Sequence, residues 1–195
     1  MGLWDVIAGR TRPKAPQLDS LFLVPSAAVT LETTLGLRPT GSGSVCYRAA
    51  SGQAFRQVQA EVVELLNADP DEPDVEVTQD EFGFTWLVVH GDPDDPAALC
   101  TDLHAVNTSL EDHEFGSGLL CSLIPFVGTD GRRVGLVYLY KRGTFYCFAP
   151  ESGPGAGEKQ RDNLLEIQVR DTLAGELPME QDLGRWLAIW GAPGL

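Results

Sequence analysis

The chain has 195 residues, 43% of them hydrophobic and 22% charged, and carries a formal net charge of -14. This composition suits one well-packed domain and excludes a disordered chain. So acidic a protein is repelled by phosphate backbones, which argues against nucleic-acid binding.

The opening MGLWDVIAGRTRPK runs against the overall charge. As a helical turn it places Leu3, Trp4 and Ile7 on one face, and Arg10, Arg12 and Lys14 follow at once. A secretion signal carries its positive charge before the apolar stretch. Here the charge comes after it and Asp5 interrupts it, so a cytoplasmic location is expected. Burying each apolar side chain stabilises by roughly 1.5–3 kcal/mol. Ordering the turn costs about 1–2 kcal/mol per residue. The near-balance suits reversible contact with a partner groove or an anionic membrane surface, where each basic residue adds about 1 kcal/mol. The alternative is a staple packed back on its own domain. Residues 1–17 therefore read as an apolar-basic segment and tether, and 18–195 as a single domain.

Ser26, after Pro25, is placed to cap a short helix through Leu35, with Gly36 as its stop. PTGSGS reads as a loop and VCYRA as a short strand. Residues 53–67 place Phe55, Val58, Val62, Leu65 and Leu66 at helical spacing. VEVTQ and FGFTWLVVH read as strands joined at Asp80-Glu81. Phe82, Phe84, Trp86 and Val88 share one side of the second strand; Gly83, Thr85, Leu87 and Val89 share the other. Both sides are apolar, which predicts an internal strand.

DPDDPAALCTDLHAVNTSLEDHEFG is the clearest helix, capped by an Asp beside Pro96 and burying Leu99, Leu103, Val106 and Leu110. LLCSLIPFV, RVGLVYLY and TFYCFA follow as strands, with turns at Asp130-Gly131 and Arg142-Gly143 that predict an antiparallel meander. ESGPGAGE reads as a loop. A helix capped near Asp162 follows, and GRWLAIW reads as a last short helix. The sum is an α+β fold, a mainly antiparallel sheet of about five or six strands with helices packed on it. Its element order is loosely like that of secretion chaperones.

Charge is unevenly distributed. Residues 57–131 contain 17 Asp and Glu and no Lys or Arg. Glu61 and Glu64 on one helix, and Asp102, Glu111 and Asp112 on the next, make a candidate acidic surface for a basic partner. Signals of chemistry are weak. Asp102 and His104 stand two apart on a helix and diverge. There is no G-x-S-x-G elbow, and Cys100 and Ser109 have no evident base. His90 and His113 fall near element ends. DPDD lacks the rest of an EF-hand loop. GPGAG at 153–157 is followed by Lys159-Gln160, where a phosphate loop needs Ser or Thr after the Lys. TGSGS at 40–44 precedes a strand, not a helix. The four cysteines form no C-x-x-C pair and read as buried free thiols. No stretch approaches the roughly 18–20 apolar residues of a membrane span.

LFLVPSAAVTLETTLGLRPTGSGSVCYRAA, TDLHAVNTSLEDHEFGSGLLCSL, VYLYKRGTFYCFAP, RDNLLEIQVR and GRWLAIWGAPGL resemble the PspA-associated PspAB family of actinobacteria, and GLWDVIAGRTRPK fits it as well. The resemblance implies an accessory factor of a phage-shock-type envelope stress response. Its implied partner is PspA, a coiled-coil protein that protects stressed inner membrane, or another Psp component. It carries over no catalytic residue.

The expectation is a non-enzymatic interaction protein without a cofactor, cytoplasmic and able to touch the inner membrane surface. It would bind a PspA-like protein through the acidic surface, with Leu3, Trp4, Ile7, Arg10, Arg12 and Lys14 as a second contact. The alternative is a small-molecule or lipid sensor with a pocket between sheet and helix.

Overall fold

The computed structural model describes residues 18–49, 52–68, 75–113, 115–152 and 159–195. The opening segment, with Leu3, Trp4, Ile7, Arg10, Arg12 and Lys14, lies outside the described residues, as does the GPGAG stretch.

Leu18–Leu23 forms a 3-10 turn that runs directly into α1 (Val24–Leu35). Pro25 sits in the first turn, where its missing N–H costs nothing. Ser26 does not cap this helix, contrary to expectation. It lies inside the first turn, and its hydroxyl donates to Glu176 instead. Gly36 does stop the helix: its φ of 66° lets its N–H reach back to the Glu32 carbonyl.

The sheet contains β1 (Leu37–Pro39), β2 (Ser42–Tyr47), β3 (Glu76–Gln79), β4 (Thr85–His90), β5 (Leu119–Gly128), β6 (Arg133–Leu139) and β7 (Thr144–Phe148). The order is β3-β4-β2-β5-β6-β7, with β1 also on β5, and every pairing between these strands is antiparallel. The sheet thus has seven strands, more than expected. The extra strand is β1, which continues the edge of β5 beyond β2.

Residues 39–44, expected as a loop, belong largely to strands. The glycines there answer crowding, not looseness. Gly41, at φ 80°, lies so close to Gly91 and Pro93 that a Cβ would come within 2.7 Å of both. Gly43 sits under the long helix, where a Cβ would stand 2.9 Å from Leu103 Cδ1. As expected, β4 has neighbours on both sides, though it begins at Thr85 and leaves Phe82–Phe84 to the preceding turn.

One sheet face carries the helices: α1, α3 (Pro96–Asp112) and α4 (Asn163–Leu173), with α2 (Gln53–Leu66) against α3. Asp95 caps α3 by accepting from the Ala98 N–H, and Asp162 caps α4 by accepting from the Leu165 N–H. The stripe Leu99, Leu103, Val106 and Leu110 is buried as expected, and Cys100 with it. Asn107 joins them, donating from its Nδ2 to the Ser122 hydroxyl on β5. In α2 the periodicity holds only in part. Val62 is buried, but Leu65 is 58% exposed, because little packs on that side of the helix. The side chains of Phe55 and Leu66 are not among those described.

The opposite face is covered by irregular chain. GRWLAIW forms no helix; only Leu183–Arg185 makes a 3-10 turn, and 186–195 runs extended or in turns. The local pattern is too short to hold a helix without a supporting face. Its aromatics bind the sheet individually. Trp190 meets Phe148 edge-on at 4.8 Å, Tyr146 donates its hydroxyl to the Leu187 carbonyl, and Leu195 lies over Gly135. The short ribbon β8 (Pro150–Ser152) and β9 (Lys159–Arg161) leads into α4.

Candidate functional site

On the face away from the helices, the sheet, the turn before β4 and the C-terminal segment enclose a pocket of about 290 Å³. Its floor is Cys46, Trp86, Cys121 and Tyr146, all buried; Ile189 and Trp190 form the wall opposite. The sensor alternative placed such a pocket between sheet and helix. Leu99 and Leu103 fill that interface, pressed onto Gly43.

Asp80 builds the aromatic wall. One carboxylate oxygen accepts from the Phe82 and Phe84 N–H groups and the other from Trp86 Nε1, each at 2.9 Å. Its charge is therefore engaged by donors that fix the turn. Phe82, Phe84 and Trp86 line the pocket together, brought to one side by the turn that Asp80 fixes. Phe82 and Leu187, both lining residues, are 59% and 63% exposed. Arg48 stacks on Phe84, 5.5 Å from its centroid, and Lys159 lies 5.7 and 5.9 Å from the Phe82 and Trp190 centroids. Lys159 also pairs with Glu81. Among the described residues Arg48 enters no ion pair.

The two floor thiols face each other across β2 and β5. The hydrogen bond with Cys121, together with burial, pushes the Cys46 thiol far up. Burial pushes the Cys100 thiol up to about 12 and raises the Cys147 thiol as well. All four cysteines are buried and unbridged. With their protons held, Cys46, Cys100 and Cys147 behave as small apolar side chains, poor as nucleophiles.

Two buried carboxylates clamp the C-terminal segment. Glu166 accepts a two-pronged pair of bonds from Arg161, at 2.9 and 3.0 Å, and one from the Ala149 N–H. The third guanidinium nitrogen of Arg161 donates to the Trp186 carbonyl. Burial pushes the Glu180 carboxyl up, but the Asp182 N–H, Arg142 and Thr144 outweigh it and leave it below its ordinary value. A second cleft, of about 460 Å³, opens beyond Trp86 between the β3–β4 edge and residues 191–194. Its walls include Glu76, Thr78, Gln79 and His90, which solvent reaches.

The groups weighed from the sequence remain apart. His104 points to Asp19 at 3.7 Å and stacks on Phe22; it does not turn to Asp102. His90 lies 3.7 Å from Glu76, and His113 is bonded to the Ser109 carbonyl. In DPDD, Asp92 closes a turn onto the Asp94 N–H, Asp94 pairs with Arg38, and Asp95 caps α3. Glu61, Glu64, Glu111 and Asp112 are exposed and, among the described residues, enter no ion pair; Asp102 is half-buried. No described helix is long and apolar enough to cross a membrane. The pocket residues Arg48 and Asp80, and Lys159 beside the rim, were not anticipated. A faint signal existed for Asp80, since an Asp followed by aromatics at every second position can bond into its own strand.

Together these features define an α+β domain whose described polar side chains largely hold structure, and which offers an acidic helical surface and an apolar pocket. The chain belongs to the PspAB family, PspA associated protein B, whose family model matches residues 1–194. The resemblance read from the sequence therefore holds over the whole chain. The family name fits an accessory role related to PspA. No curated protein and no solved structure matches the chain, so the likeness to secretion chaperones rests on element order alone.

Proposed function

We propose that the protein is a non-enzymatic accessory factor of a PspA-type envelope stress response, acting in the cytoplasm by binding PspA or another Psp component. The observation that carries this reading is the acidic surface. Helices α2 and α3 touch and both turn carboxylates to solvent; Glu61, Glu64, Glu111 and Asp112 enter no ion pair among the described residues, and residues 57–131 contain no Lys or Arg. Such a surface attracts a basic stretch of a partner and speeds its capture. The opening segment adds an apolar-basic contact, to the partner or to an anionic membrane surface.

The test is binding to purified PspA-type coiled-coil protein. Reversing Glu61, Glu64 and Asp112 to Lys should weaken binding about tenfold or more at low salt, with the melting temperature little changed. Deleting residues 2–14 should weaken recruitment and also spare stability. Undiminished binding by the triple variant would refute the acidic face as the contact. A collapse in stability on deletion would assign the segment to the core.

A further inference from the structure

We propose that the pocket between the sheet and the C-terminal segment binds a free single-chain acyl carboxylate of about ten to twelve carbons. The inference goes beyond the partner-binding role and stands independently of it. Three observations carry it.

The first is the lining. Trp86, Leu120, Leu139, Ile189 and Trp190 give the interior an apolar surface, and the only charged lining groups among the described residues are Arg48 and Asp80. Asp80 is occupied by three donors of its own turn, so Arg48 is the group left to meet a ligand.

The second is the mouth. Phe82 and Leu187 stand exposed there, which leaves an apolar rim that a passing chain can cover. Arg48 lies on one of the pocket's aromatic rings and Lys159 on two others. A cation at the end of an apolar hole selects an anionic head with an apolar tail. A planar guanidinium matches a carboxylate through two parallel hydrogen bonds.

The third is size. A cavity of about 150 Å³ takes one benzene ring, so the 290 Å³ here takes about twice as many carbons. A two-chain lipid is far too large to enter whole. The Cys46 thiol, whose proton is held by its contact with Cys121 and by burial, adds no charge beneath the tail.

The experiment is calorimetric titration of the full chain with decanoate below its micelle concentration, with tryptophan fluorescence followed in parallel. One decanoate should bind per chain and change the emission, because Trp86 and Trp190 line the pocket. Octanoate should bind more than tenfold more weakly, at about fourfold per methylene. Arg48→Ala should weaken decanoate about tenfold or more, with Arg48→Lys in between. Ala188→Phe, on the exposed wall, should block binding without altering the circular dichroism. Decylammonium should not bind.

Absence of decanoate binding at millimolar concentration would overturn the proposal. So would equal binding of decylammonium, or full affinity in Arg48→Ala. Binding only after deletion of residues 2–14 would make the chain's own opening segment the occupant, and the proposal would fall. Capture by phosphatidylglycerol vesicles without any decanoate binding would move the ligand to the membrane and overturn the proposal equally.

Discussion

Removing the Glu166 carboxylate should cost this protein a large part of its stability. Glu166 is 3% exposed, on the buried side of α4. Glu166→Ala deletes the two bonds from Arg161 and leaves the Ala149 N–H without its acceptor. Arg161 would retain its bond to the Trp186 carbonyl and its place over the Phe148 ring, 5.2 Å from the centroid, its charge now lacking a carboxylate partner. Breaking one half of a buried pair costs about 3–5 kcal/mol. The Arg161 side chain is 23% exposed, so water softens the loss and the lower end applies, about 3 kcal/mol. For a chain this long, that lowers the melting temperature by about 6–12 °C. The assay is urea unfolding by circular dichroism, run on Glu166→Ala, Arg161→Ala and the double variant. The double variant should be clearly more stable than the sum of the single losses implies, since it leaves no orphaned charge. A Glu166→Ala stability within about 0.5 kcal/mol of the parent, or strictly additive losses, would refute the clamp.

Two further outcomes follow from particular contacts. Gly43→Val should destabilise by about 1–3 kcal/mol in urea titration, because its Cβ would meet Leu103 at 2.9 Å and Leu99 at 3.2 Å and push α3 off the sheet. An unchanged midpoint would mean the helix has slack. The net lowering of the Glu180 carboxyl sets a pH dependence: its stabilisation is complete above the ordinary value of 4.5 and is lost as pH falls through the lower folded value. Stability should therefore drop on acidification below about pH 4.5, and Glu180→Gln should flatten that drop while lowering stability at neutral pH. Parallel acid profiles for parent and variant would contradict this.

The sequence by itself determined whatever local periodicity and turn chemistry can encode. The stripe of α3, the two apolar sides of β4 from Thr85 to Val89, the caps at Asp95 and Asp162 and the hairpin turns between β5, β6 and β7 all depend on neighbours a few residues away. Long, specific blocks also disclosed the family. Tertiary structure decided the rest, wherever a residue's meaning depends on distant chain. Gly41 and Gly43 look like loop residues until Pro93 and Leu103 are seen crowding them. GRWLAIW looks helical until Tyr146 and Phe148 offer each of its aromatics a separate place on the sheet. The pocket joins Arg48, the Asp80 turn and residues 187–190, which are remote in sequence, so no window along the chain contains it. Short-range patterns set which faces are apolar; only the packing of remote segments sets which of those faces stays open.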